Sequence, residues 1–171
     1  FTIALALCMV LTMVPGGVSH SEAAWAAGEH ANHCICGGSV SSGDHTSHTA
    51  ITNWKGVSDL SQITTAGNYY LTEDVTLSAT WKPVNNTVLC LSGHTITANG
   101  NFCVIRVEPR CSFTLTDCEL GGKKGSVTHA SGTNGSGIYT LGNFTMYGGT
   151  ISGNDSNTLA TGGGVDVNGS S

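Results

Sequence analysis

The chain has 171 residues, a formal net charge of −5 and only 10% charged side chains. That balance leaves no basic stripe for nucleic acid and none of the charge density that keeps a chain disordered. The 24 glycines are accompanied by 39% hydrophobic residues arriving in periodic packets, which argues for ordered β structure.

Phe1 to Val14 is almost uninterrupted apolar sequence, followed by Pro15-Gly16-Gly17 and then Ala23, Ala24, Ala26 and Ala27. This is the pattern of a secretory h-region and cleavage zone, and the run is too short for the roughly 20 residues of a membrane-spanning helix. Residues 1–27 are assigned as a partial signal peptide whose basic start is missing, since the chain opens on Phe1. The product is expected to be secreted or held at the cell surface, with no transmembrane segment in its mature part.

Residues 28–50 form a polar, irregular segment without apolar periodicity. It holds His30, His33, Cys34, Cys36, His45 and His48. Thiolates and imidazoles this close together can supply the four ligands of a tetrahedral zinc site. The Cys-x-Cys spacing departs from that of a standard finger, and nothing adjacent offers a general base, so a zinc bound here would be structural and not catalytic. The competing readings are a strained Cys34/Cys36 redox pair and a solvated linker that meets metal only incidentally.

From Ile51 to Ser171 the pattern is that of a single β domain. Trp54 precedes a polar connector; then Val75, Leu77, Ala79 and Trp81 alternate with polar neighbours, which predicts a strand with one buried face. Packets follow at Val88–Leu91, Thr95–Thr97, Val104–Val107, Phe113–Thr116, Ser126–Thr128, Gly137–Thr140, Asn143–Met146, Thr150–Ser152 and Gly164–Val167. Turn signals such as Ser92-Gly93, Asn99-Gly100 and Gly148-Gly149 separate them. Grouped in threes they make about three coils of a parallel β-helix and the start of another, roughly 25 to 30 residues per coil. An antiparallel sandwich would need longer strands joined by hairpins.

Inward positions of such coils stack into ladders, so Val165 and Val167 are expected to point inward and Asp166 outward. Cys90, Cys103, Cys111 and Cys118 fall within or beside the packets. They read as small buried fillers, with disulfides as the alternative.

Glycosidase chemistry would need two opposed carboxylates, for which Asp117, Glu119, Asp155 and Asp166 are the candidates. Asp117 leads into a turn-like stretch and is expected to bond local backbone amides instead. A lyase would need a convergent base, and Arg106, Arg110, Lys123 and Lys124 do not converge. No phosphate loop, nucleophile elbow or dinucleotide fingerprint is present, so no catalytic or cofactor-binding residue is assigned.

The runs Val88-Leu89-Cys90-Leu91-Ser92-Gly93-His94-Thr95-Ile96, Phe113-Thr114-Leu115-Thr116-Asp117-Cys118 and Phe144-Thr145-Met146-Tyr147-Gly148-Gly149-Thr150-Ile151-Ser152-Gly153-Asn154 resemble repeats of large exported surface proteins of gut Firmicutes. These are similar to the pectin-lyase-like superfamily of right-handed parallel β-helices, and the resemblance runs from Trp54 onward. The segment around Cys34-Ile35-Cys36-Gly37 also looks like a leader found before such domains. The resemblance implies a non-catalytic bacterial scaffold, part of a longer multidomain chain, that contacts glycans or host and cell-surface proteins. Tyr69, Tyr70, Tyr139, Tyr147 and Trp81 are the candidate sugar-stacking rings. The alternative is a polysaccharide lyase or glycoside hydrolase whose groove lies on coils beyond residue 171.

Overall fold

The computed structural model describes residues 30, 32–37, 50–119, 122–155 and 162–168. The signal peptide assigned to residues 1–27, along with His45 and His48, lies outside them. Among the described residues no helix is long and apolar enough to cross a membrane.

The described chain is nearly all β. Its strands are β1 (Trp54–Val57), β2 (Gly67–Leu71), β3 (Val75–Leu77), β4 (Thr87–Cys90), β5 (Thr95–Ala98) and β6 (Ile105–Val107), then β7 (Ser112–Thr116), β8 (Ser126–His129), β9 (Ile138–Thr140), β10 (Asn143–Met146), β11 (Thr150–Ile151) and β12 (Val165–Val167). They form three sheets, ordered β1-β2-β4-β7-β10, β11-β8-β5-β3 and β12-β9-β6. Every pairing between these strands is parallel. From β4 onward the chain visits the three sheets in fixed rotation, and each strand is laid beside the one from the previous circuit. The circuits differ in length, since Gly67 pairs with Thr87 whereas Ile105 pairs with Ile138.

Register turns the sequence alternation into a core. Tyr69, Leu89 and Leu115 stand in one inward column, and Ile96 and Val127 in another. All five are buried, and full burial of one such aliphatic side chain is worth about 1.5–3 kcal/mol. Phe113 stacks on Phe144 at 5.9 Å and receives Trp81 edge-on at 5.6 Å. The column Ile105, Ile138 and Val165 places Val165 and Val167 on the core side and Asp166 on the outer side with Tyr139. Val165 and Val167 are nonetheless 42% and 73% exposed, because among the described residues no strand stands over β12.

The strand expected across Val75–Trp81 stops at Leu77. Trp81 instead makes a parallel bridge to Ile105 in the third sheet, so Ser78-Ala79-Thr80 turns a corner that alternation alone reads as strand. The connector after Trp54 also contains structure not expected from the sequence: β1 and β2, with a 3-10 turn at Leu60–Gln62 capped by Asp59.

Two strands break the alternation of buried and exposed faces. In β4 both Leu89 and Cys90 are buried, and in β7 both Leu115 and Thr116. Cys90 and Thr116 share the outward column that begins with Gly56 and Tyr70. A methyl at Gly56 would stand 2.9 Å from the Tyr70 ring, so glycine lets that ring lie over β1. At Cys90 and Thr116 the outer face of this column is covered by the segment that precedes β1.

Candidate metal centre

Residues 32–37 cross the outer face of the first sheet. A turn is closed by the Gly37 amide donating to the Cys34 carbonyl at 3.0 Å, and the Ile51 amide donates to the His33 carbonyl at 2.9 Å in an antiparallel bridge. Gly37 has φ +81°, and a Cβ there would collide with the Asp117 carbonyl oxygen. Only glycine combines that backbone conformation with so close an approach.

This crossing brings His30 and His33 onto Cys90 and Cys118. One ligand atom from each of the four lies within 4.8 Å of all the others, and His33 and Cys90 are buried. The Nε2 atoms of His30 and His33 are 2.9 Å apart, and Nδ1 of His30 lies 3.6 Å from Cys118 Sγ and 3.3 Å from Ser92 Oγ. Nδ1–H of His33 donates to the Cys34 carbonyl. That bond fixes the tautomer and leaves the Nε2 lone pair facing the cluster.

Aromatic rings hold the imidazoles in place. His30 stacks on Tyr70 at 4.3 Å and 13°, and His33 stacks on Trp54 at 4.7 Å and 29°. His30 also meets Trp54 edge-on at 4.9 Å. The two sulfurs differ in their surroundings. The Cys118 thiol is lowered, chiefly by the hydrogen bond from Cys90 and then by His30 and His33, against burial. Burial above all, then Cys118, pushes the Cys90 thiol up. The pair thus favours a thiolate on Cys118.

Behind the cluster sits Asp117, buried as a turn carboxylate. Its oxygens accept from the amides of Gly93 at 2.8 Å, Gly125 at 2.7 Å and Glu119 at 3.2 Å. It therefore bonds backbone amides, as the sequence suggested, and fixes the corners that carry Ser92 and Cys118.

Of the residues singled out in the Cys/His-rich segment, His30 and His33 converge and Cys34 and Cys36 are not among the converging atoms. Burial first, and then a hydrogen bond with Cys36, raises the Cys34 thiol. The two members of the cluster that the sequence reading did not include are Cys90 and Cys118, which read there as fillers. A usable sign was available: in Leu89-Cys90-Leu91 the leucines alternate inward, which aims Cys90 outward.

The proposed sugar platforms divide. Tyr69 is core, its hydroxyl donating to the Thr65 carbonyl at 3.0 Å, and Trp81 packs against the core. Tyr70 lies beneath His30. Tyr139 carries Arg106 at 5.3 Å from its ring centre, and Tyr147 is exposed.

What the arrangement can do chemically is hold a metal ion with two nitrogen and two sulfur donors. Comparison with protein-family models, with curated proteins and with solved structures finds no match.

Proposed function

We propose that the chain is a non-catalytic, exported β-helical scaffold whose leader is fastened to its coils by one structural zinc ion held by His30, His33, Cys90 and Cys118. The observation that carries this reading is the convergence of four ligand atoms within 4.8 Å. A mixed set of two sulfurs and two imidazole nitrogens suits tetrahedral zinc. The 2.9 Å between the imidazole nitrogens is a few tenths short of the roughly 3.3 Å expected for two nitrogens on one tetrahedral zinc. A closed, four-ligand site is structural; a catalytic site keeps a position open.

Three parallel sheets laid down in rotation support the right-handed, pectin-lyase-like β-helix reading, and the apolar start of the chain supports export. The outer surface, where Tyr139, Arg106 and Tyr147 are accessible, is the face offered to glycans or protein partners. Asp117, the most sheltered of the candidate acids, is committed to three backbone amides, which weakens the lyase or hydrolase alternative.

Purified under reducing conditions, the chain should carry one zinc per molecule by elemental analysis. Substitution with cobalt should give the visible bands and thiolate charge-transfer absorption of a tetrahedral site. A chain devoid of zinc, with no cobalt spectrum, would end the metal reading. For the scaffold reading, the test is a glycan array and binding to whole cells, with polysaccharide cleavage as the opposing outcome.

A further inference from the structure

We infer that the metal ion governs a cover: its occupancy decides whether residues 32–37, with His30, lie on the outer face of the first sheet or leave it. The inference rests on the zinc reading above and adds what the ion controls.

The outward column Gly56, Tyr70, Cys90 and Thr116 is set by register. Outward positions on a sheet are ordinarily wet, yet Cys90 and Thr116 are both 0% exposed. What shuts out water is the crossing segment, with Gly37 against the backbone of Asp117 and against Thr116 Oγ1.

This cover is costly as polypeptide alone. It leaves Thr116 Oγ1 and Trp54 Nε1 buried without a hydrogen-bond partner, so both lose water and gain nothing. It also sets the two imidazole Nε2 atoms 2.9 Å apart, close enough for a shared proton or, in its place, a cation between them. Against these costs stand the backbone bridge to Ile51, the stacking of His30 on Tyr70 and of His33 on Trp54, and the burial of His33 and Cys34. Metal–ligand bonds add the larger attraction. They join the segment to two successive strands, through Cys90 at the end of β4 and Cys118 just beyond β7. Without the ion the balance tips toward release, and Trp54, Tyr70, Cys90 and Thr116 come to the surface.

The test uses the 171-residue chain, zinc-loaded and then stripped with a strong chelator. Three readouts are needed: zinc stoichiometry, amide hydrogen exchange at Ile51, and the rate of alkylation of Cys34, which is not a ligand. Removal of zinc should raise the Ile51 exchange rate and the Cys34 alkylation rate at least tenfold, while exchange in β7 and β10 stays unchanged. Stoichiometric zinc with Ile51 and Cys34 equally protected in both forms overturns the cover and leaves the zinc reading intact. Absence of zinc binding overturns both. Exchange that rises throughout β7 and β10 also overturns the cover, since the ion would then hold the whole fold. Gly37→Ala removes no ligand but blocks the crossing beside Asp117. It should reproduce fast Cys34 alkylation with zinc present and weaken zinc affinity at least tenfold; affinity within twofold of the parent overturns the inference.

Discussion

Sγ of Cys118 lies 3.6 Å from Nδ1 of His30, although 88 residues separate the two in sequence. The same nitrogen also faces Ser92 Oγ at 3.3 Å. On the zinc reading proposed above, Ser92 therefore sits where an outer partner would set the orientation and tautomer of the His30 imidazole. Ser92→Ala should weaken zinc binding by about 10–100-fold while the far-ultraviolet circular dichroism stays the same. Competition with a chromophoric chelator measures it, and an unchanged affinity would deny Ser92 that role.

Cys118→Ser and Cys90→Ser each remove a sulfur without changing much volume. Each should abolish the cobalt charge-transfer band and lower bound zinc to a small fraction of one per chain. Cys36→Ser should leave both intact. A Cys36→Ser chain that lost its zinc would place the ion elsewhere in the Cys/His-rich segment.

Asp117 fixes two corners at once by accepting from Gly93 and Gly125. Asp117→Ala strands those amides in a buried place and should cost about 1–3 kcal/mol, read as a lower urea midpoint. Asp117→Asn keeps one acceptor oxygen and should fall between the two. Equal midpoints for all three chains would show that water serves these amides as well as the carboxylate does.

Leu115 is fully buried and stands in register with Leu89. Leu115→Ala should cost about 2–5 kcal/mol, through lost transfer energy and the cavity left behind. Thr114→Ala, one position along on the outer side, should stay within about 0.5 kcal/mol. Comparable losses at both positions would contradict the inward and outward assignment of β7.

The Thr95 amide, donating at 2.8 Å, holds the Asp74 carboxyl below its usual range; burial opposes this, and Lys123 and His94 add to it. A carboxyl lowered by folding stabilises the fold above the unfolded-state value, about pH 4, and that contribution disappears as pH falls through the folded-state value. Asp74 is largely exposed, so solvent reduces the effect. Thermal melts of the parent and of Asp74→Asn should differ near neutral pH and converge at low pH. A gap constant with pH would mean that the ionised form is not what matters.

The strands from β4 onward were legible because most inward residues are apolar and most packets end at a turn marked by Gly, Asn or Ser. Thr87–Cys90, Asn143–Met146 and Val165–Val167 fall where alternation places them. β1 and β2 were not, since Trp54 and Tyr70 put large rings on the outer face and Gly56 and Gly67 read as breaks. The site was half legible for a related reason. His30 and His33 stand out by residue type within a short polar stretch, whereas Cys90 and Cys118 join them only once pairing sets β4 beside β7 and the preceding segment crosses them. A single sequence carries no record of that crossing apart from the outward aim of Cys90 and the glycine at position 37.

Joining His30 to Cys118 also alters how the molecule would bear a pull. With the ion in place, tension entering at His30 runs through metal–ligand bonds straight to the ends of β4 and β7. The chain between Gly37 and Cys90, with β1, β2 and β3, then lies outside the load path as slack. Peeling from that side would have to begin by breaking coordination bonds, and strand-by-strand unravelling would follow only afterwards.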